Sequence, residues 1–128
     1  MNKLNARKVF VDGEVFASRK EYRRWRELLL LQKAGEISDL KKQVKFVLIP
    51  GFYVFEPRYS EKTGKRLKDK KVCIERECAY VADFVYTDRD GHVVVEDTKG
   101  CKKGATYELF KIKRKLMLEK YGISVRET

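Results

Sequence analysis

Two apolar segments joined by a short polar turn constrain the fold of this chain most strongly. The first reads Cys78-Ala-Tyr-Val-Ala-Asp-Phe-Val-Tyr86 and the second reads His92-Val-Val-Val-Glu-Asp-Thr-Lys99. Both are rich in β-branched and aromatic residues, which favour strands. The intervening Thr87-Asp-Arg-Asp-Gly91 is typical of a turn. The pattern therefore predicts two consecutive strands that the turn can pair.

Each of these strands carries an aspartate that its surroundings do not explain. Asp83 interrupts an apolar run, where packing provides no reason for a charged side chain. If the turn pairs the strands, Asp83 and Asp97 come close together. Side chains alternate along a strand, so Asp97 and Lys99 project to one face, while Glu96 and Thr98 project to the other. Two neighbouring carboxylates repel each other, and burying them requires a compensating positive charge.

A divalent cation together with Lys99 would supply that charge. Hard ions such as Mg²⁺ prefer oxygen ligands and keep several waters. Lys99 would then orient an attacking water and offset charge that develops on a scissile phosphate. The alternative is a plain ion pair between Lys99 and one of the two aspartates. An ion pair explains the aspartate inside an apolar strand less well, so we favour the metal site.

The rest of the pattern indicates one α/β domain over residues 1–128. The predicted order is hairpin, helix, three strands, helix and strand. In chain order, the signals are a hairpin turn at Asp12-Gly13, a capping box Ser18–Glu21 opening a helix over 19–34 that Gly35 ends, a strand over 43–49, the two strands above, a helix capped by Thr106 that runs to Tyr121, and a strand over 123–127. Residues 56–72 are strongly polar and are predicted to form a basic loop or a hairpin tip.

Charge favours a nucleic-acid partner. The chain has 30 Lys and Arg residues against 19 Asp and Glu residues, a formal net charge of +11. A basic excess of this kind attracts polyanions, although it also solubilises a surface. The three cysteines and the single histidine lack the spacing of a zinc site. No apolar run approaches the roughly 20 residues needed to span a bilayer, so we expect a cytoplasmic protein without a membrane partner.

The motif residues also resemble a known family. Asp83, the following hairpin and Asp97-Thr98-Lys99 resemble the D…(D/E)xK signature of the PD-(D/E)xK nuclease superfamily. The segments Phe10–Glu21, Tyr80–Tyr86 and Val94–Gly100 further resemble a group of small phage-encoded proteins placed in that superfamily. The resemblance covers the chain from about Phe10 to its C-terminus. It departs from the common pattern in that no proline precedes Asp83 and in the basic insert at 56–72.

The resemblance implies a restriction-endonuclease-like αβββαβ core, with a central mixed sheet flanked by two helices and an added N-terminal hairpin. It further implies that Asp83 and Asp97 bind Mg²⁺ or Mn²⁺, that the Thr98 carbonyl adds a ligand, and that Lys99 is the catalytic lysine. Glu21 matches an acidic residue that many members place beside the metal, although it is equally a capping residue. Whether one ion or two take part stays open.

Further residues are candidates for supporting roles. Gln43 and Glu96 are expected just outside the metal ligands, with a plain polar strand residue as the alternative for Gln43. Lys102, Lys103, Lys111 and Lys113 are expected to contact DNA phosphates, with a solvated surface as the alternative for the helical pair. The predicted function is a metal-dependent DNA endonuclease, suggested for branched or recombination intermediates in phage replication, in which a homodimer would cut two strands. The alternatives are a non-catalytic nucleic-acid-binding module on the same fold and a phage structural or adaptor protein.

Overall fold

A computed structural model describes residues 8–11 and 13–128 of the chain. Its elements, in chain order, are β1 (Val9–Val11), β2 (Glu14–Phe16), α1 (Arg19–Lys33), β3 (Ser38–Ile49), β4 (Phe52–Tyr59), β5 (Arg66–Glu75), β6 (Cys78–Thr87), β7 (Val93–Asp97), α2 (Gly104–Tyr121) and β8 (Arg126–Glu127). Contacts divide these residues into two compact units: Val47–Ala79, and the remainder on either side of it. The prediction of a single domain stays a prediction.

The central sheet is mixed, as expected. Its strand order is β3-β6-β7-β8. Strands β6 and β7 are antiparallel, whereas β7 and β8 run parallel. With β4 and β5 set aside as a separate two-stranded sheet, the order of elements from α1 onward is αβββαβ. The α/β class, this order and the additional N-terminal hairpin of β1 and β2 are all confirmed.

Helix α1 packs on β6 through apolar and aromatic side chains. Trp25 stacks on Phe84, with ring centroids 5.8 Å apart. Leu28 is fully buried and belongs to one cluster with Ile37, Phe84 and Tyr86. Helix α2 contributes the buried Phe110, whose ring lies 6.1 Å from that of Tyr80 on β6. Among the described residues, neither helix is long and apolar enough to cross a membrane.

The start of α1 follows the capping-box prediction, except that the Glu21 carboxylate accepts the N–H of Ala17 instead of the N–H of the cap residue Ser18. The Ser18 hydroxyl accepts the Glu21 backbone N–H at 3.1 Å, as the sequence predicts. The Glu21 carboxylate reaches back to the backbone N–H of Ala17 at 2.9 Å. Gly35, just after the helix, has φ +80°, a conformation that glycine adopts without steric cost. Gly13 of the predicted hairpin turn has φ +79°, while Asp12 lies outside the described residues.

Several element boundaries differ from the sequence prediction; the last strand, for example, covers only Arg126–Glu127 of the predicted 123–127. Strand β3 begins at Ser38, earlier than Gln43, and contains two residues with positive φ, Asp39 and Gln43. Strand β7 ends at Asp97, so Lys99 lies just beyond it. Helix α2 begins at Gly104, with Lys103 as its N-cap and without a side-chain cap hydrogen bond. Thr106 is therefore inside the first turn, and its assignment as the cap was wrong.

The unit Val47–Ala79 contains a long β-hairpin. Strands β4 and β5 are antiparallel, with Val54 opposite Val72 and Tyr59 opposite Arg66. A short turn at its tip is closed by a hydrogen bond from the Ser60 N–H to the Lys65 carbonyl at 2.8 Å. Residues 56–72 were expected to form either a basic loop or a hairpin tip, and in the structure they belong to this hairpin. The strands within them could not be predicted from the sequence, because strand prediction depends on apolar alternation and these residues are mostly polar.

Candidate active site

The pairing of β6 and β7 brings Asp83 and Asp97 together. Phe84 lies opposite Glu96 in the antiparallel register, so the next residues outward are the two aspartates. The Asp97 carboxyl is close enough to Asp83 to raise the pKa of the Asp83 carboxyl. Asp97 is buried, with 4% of its surface exposed, and Asp83 is half-buried. Two acidic groups that the sequence predicts as a pair are therefore a pair in the fold.

Electrostatics at this pair favour a proton or a cation. Burial, as the largest cause, and the neighbouring Asp97 carboxyl together raise the pKa of Asp83 from 3.8 to about 8. The Thr98 backbone N–H, which donates to Asp83 Oδ2 at 2.8 Å, acts in the opposite direction. Near neutral pH the two carboxylates thus cannot both be charged at low cost unless a positive charge joins them.

Lys99 provides part of that positive charge. Its Nζ lies 2.6 Å from Asp97 Oδ2 and 4.0 Å from the centre of the Phe110 ring. The loop after β7 is held by a hydrogen bond from the Lys99 N–H to the Thr128 carbonyl at 3.4 Å. Lys20 Nζ on α1 donates to the Lys99 carbonyl at 3.0 Å. The ammonium group is therefore positioned by contacts from the strand end, from α2 and from the C-terminal segment.

Glu21 lies beside the pair and is held in place. It is 4% exposed and accepts a hydrogen bond from Gln43 Nε2 at 3.1 Å. Burial, together with the charge of Asp97, raises the pKa of Glu21. Gln43 itself has φ +54°, which is unfavourable for a residue with a side chain. Strain of this kind is often found at functional sites, and here it accompanies the side-chain contact with Glu21.

Tyr80 is a residue of this site that sequence reasoning missed. Its side chain is 4% exposed, and its hydroxyl is buried without a hydrogen-bond partner among the described residues. Asp97 and Asp83 are near enough that their charges, together with burial as the larger cause, raise the pKa of Tyr80. An unpaired buried hydroxyl is rare because it costs free energy. In the sequence, a tyrosine in an apolar strand gave no signal of this role.

These residues fit a divalent cation that keeps part of its water shell. Mg²⁺ and similar ions are commonly bound through one or two carboxylates, with water completing the shell. Asp83 and Asp97 are such a pair, and the Tyr80 hydroxyl offers a partner to a nearby water. The oxygens of Glu21, Asp83 and Asp97 do not all lie within 4.8 Å of one another. Glu21 is therefore farther from the expected ion position than the two aspartates are. Thr98 was expected to offer its carbonyl, and the contact that the structure shows for it is its backbone N–H donating to Asp83.

Glu96 does not join this cluster. It is fully buried, and Arg24 on α1 donates two hydrogen bonds of 2.7 Å to its carboxylate. The Tyr86 hydroxyl also donates to it. The hydrogen bonds to Glu96 raise the pKa of Arg24. Glu96 is thus neutralised by the half-buried Arg24 and connects α1 to β7, as expected for the face opposite to Asp97.

The four lysines predicted to contact DNA have different surroundings. Lys102 Nζ lies 3.5 Å from Glu127, and Lys111 Nζ lies 2.5 Å from Glu108. Lys103 and Lys113 make no ion pair within the described part of the chain. A basic cavity that the sequence did not indicate lies along α1; it has a volume of about 370 Å³ and is lined by Lys20, Arg23, Arg24, Glu27 and Thr128. Lys20 connects this cavity to the Lys99 backbone.

A second cluster of metal-ligand types lies in the β6–β7 turn. Oxygen or nitrogen atoms of Asp88, Asp90 and His92 lie within 4.8 Å of one another. The Asp88 carboxylate already accepts the backbone N–H groups of Asp90 and His92, each at 2.9 Å. Asp90 and His92 are exposed. These contacts are those of a turn that stabilises itself, and the cluster provides a matched control for the buried pair.

Comparison with known proteins gives a family and no function. A family model described as "Protein of unknown function (DUF1064)" matches residues 1–127. The chain therefore belongs to the DUF1064 family. Neither the curated proteins nor the solved structures contain a significant match to it.

Proposed function

We propose that this DUF1064 protein is a nuclease of the PD-(D/E)xK type that hydrolyses phosphodiester bonds in DNA with Mg²⁺ or Mn²⁺. The observation that carries the proposal is the neighbouring acidic pair of the half-buried Asp83 and the buried Asp97, with the Lys99 ammonium 2.6 Å from Asp97. A buried acidic pair is costly, and its cost is understandable where it binds a cation that catalysis needs. The αβββαβ order around it supports the proposal.

The positions of the site residues indicate a separate role for each of them in the proposed reaction. Asp83 and Asp97 would hold the cation, which supplies Lewis-acid polarisation of a phosphoryl oxygen and a water of lowered pKa. The Lys99 ammonium stabilises negative charge that develops on the scissile phosphate. The Phe110 ring, which lies against the ammonium and packs on the buried Tyr80, places apolar surface beside Lys99. Glu21, with its raised pKa, is placed to accept or release a proton at the edge of the site.

Basic side chains near the site support a polyanionic substrate. Lys20 and Arg23 line the cavity along α1, and Lys20 contacts the carbonyl of Lys99 itself. Lys103 opens α2 just after the acidic strand end. A DNA backbone that follows these cations would pass the Asp97–Lys99 pair. A branched substrate cut in both strands calls for a twofold dimer, and we include a homodimer in the proposal for that case.

A cleavage assay tests this function. Wild type is incubated with linear duplex, single-stranded, flap and four-way-junction DNA in Mg²⁺, in Mn²⁺ and in chelator, beside Asp97→Asn and the control Asp90→Asn. We expect metal-dependent cutting by wild type and by the control, and none by Asp97→Asn, which should keep its DNA binding. Equal cutting by Asp97→Asn would contradict the proposed site. Binding without any cutting by wild type would favour a non-catalytic nucleic-acid-binding module.

A further inference from the structure

The hairpin of β4, β5 and their connecting turn, residues 52–75, has almost no buried surface. Every residue of β4 is exposed, and in β5 all are exposed except Asp69 and Val72, which are half-buried. A two-stranded hairpin without a packed face is only marginally stable in water. We call residues 52–75 the ribbon. The two strands stay paired, with two register shifts, although almost all of their residues are exposed, which indicates a surface that is available to a partner.

The charge of the ribbon indicates a polyanionic partner. It carries seven Lys and Arg residues against four Asp and Glu residues. Arg66 and Asp69 neutralise each other at 2.9 Å. Within the described residues, no ion pair involves four of the lysines, which are Lys62, Lys65, Lys68 and Lys70. A second copy of the chain would bring the same excess of positive charge, so self-association through this surface meets electrostatic repulsion.

Exposed aromatic rings lie beside these cations. Phe55 is 64% exposed and lies opposite Lys71; Tyr59 is 58% exposed and lies opposite Arg66. Residues directly opposite in an antiparallel pair share a face of the sheet. Tyr53 differs, because Lys71 Nζ lies 4.2 Å from its ring centre and Gly51 lies close to the same ring. The rings of Phe55 and Tyr59 make no aromatic contact with another described residue, so both have a face available to a ligand.

We propose that the ribbon binds unpaired nucleotides of a nucleic acid. Phe55 and Tyr59 stack on bases, while neighbouring lysines contact phosphates. Aromatic stacking requires bases that are not covered by a duplex stack, and cations along a groove follow the backbone. A flap, an overhang or a branch point supplies both. The inference rests on the proposed function only in taking DNA as the substrate. It assigns the single-stranded part of that DNA to the ribbon.

Fluorescence anisotropy in chelator tests the inference without cleavage. The probes are a labelled 20-nucleotide single strand, a blunt duplex of the same sequence, and that duplex with a single-stranded overhang. The variants are Phe55→Ala, Phe55→Trp and Lys68→Gln/Lys70→Gln. Phe10→Ala is the matched control, because Phe10 is 74% exposed on β1, outside the ribbon. Sedimentation of each protein at the assay concentration reports its oligomeric state.

Phe55→Ala should weaken single-strand and overhang binding by about 5- to 150-fold and leave blunt-duplex binding within twofold. Phe55→Trp should restore binding. In the double lysine variant, the slope of the logarithm of the binding constant against the logarithm of the salt concentration should fall by about 0.7 for each phosphate that is no longer neutralised. The inference is overturned if Phe55→Ala behaves like Phe10→Ala, if it weakens duplex binding equally, or if it dissociates a dimer. Cleavage of blunt duplex in Mg²⁺ is scored separately. A stacking effect without any cleavage would refute the nuclease alone, and cleavage without any stacking effect would refute the ribbon alone.

Discussion

Replacement of Asp83 by asparagine removes one titrating group and keeps an oxygen that can accept the Thr98 N–H. The pKa of Asp83 in the folded protein is raised to about 8 by burial and by Asp97, against 3.8 ordinarily. Between these values the folded chain keeps a proton that the unfolded chain releases. This contribution to stability is complete below pH 3.8 and is lost as the pH rises through 8.

The size of the effect follows from the linkage. A full proton of difference changes the free energy of unfolding by about 1.4 kcal/mol per pH unit. In chelator, wild type should therefore lose up to about 2 to 3 kcal/mol between pH 5 and 7 relative to Asp83→Asn. Glu21 also has a raised pKa, but it is present in both proteins, and its effect largely cancels in the comparison.

Urea denaturation at pH 5, 6 and 7, in chelator and in Mg²⁺, measures this difference. Without metal, the two stability curves should diverge steadily, with Asp83→Asn gaining relative to wild type as the pH rises. In Mg²⁺ the wild-type loss should shrink, because a bound cation favours the charged carboxylate. Parallel curves in chelator would refute the reasoning, since they would mean that Asp83 ionises in the folded protein as easily as in the unfolded chain.

Three further predictions concern neighbouring residues. Glu96→Gln should lower the free energy of unfolding by about 1.5 to 3 kcal/mol in urea denaturation, because Arg24 keeps its ion pair with Glu27 but loses its buried counter-charge; a loss within experimental error would contradict this. Gln43→Gly should be more stable than Gln43→Ala by about 1 kcal/mol at φ +54°, as thermal unfolding of the pair would show; equal stability would remove the argument from strain. Lys99→Met should lose turnover in the nuclease assay while calorimetry shows Mn²⁺ binding retained; retained turnover would exclude a catalytic role for Lys99.

The sequence predicts the acidic pair because its signals are local. Asp83 stands out within an apolar strand, and a five-residue turn sets the register that brings Asp97 opposite. Helix α1 is equally readable, because Ser18 and Gly35 mark its ends. In each case, the signal is a residue type that is unusual at its position unless it has a specific role, such as a charge inside an apolar strand or a glycine at a helix end. The αβββαβ order follows from such local signals.

Other features depend on contacts that no short pattern contains. Arg24 and Glu96 are 72 residues apart, and only the packing of α1 against β7 reveals why Glu96 is buried. Tyr80 looks like any aromatic strand residue until its hydroxyl is found without a partner beside Asp97. The positive φ at residue 43 could not be predicted, because the residue there is a glutamine and not a glycine. The strands of the ribbon lack apolar alternation, so a loop and a hairpin tip were equally compatible with residues 56–72.

Calorimetric titration of Mn²⁺ into the metal-free protein at neutral pH tests the cation site most directly. It compares wild type with Asp97→Asn and with Asp88→Asn, which removes a carboxylate from the cluster in the β6–β7 turn. The account predicts binding by wild type, unchanged binding by Asp88→Asn and loss of binding by Asp97→Asn. Binding that survives in Asp97→Asn and disappears in Asp88→Asn would place the ion in the turn and contradict the account.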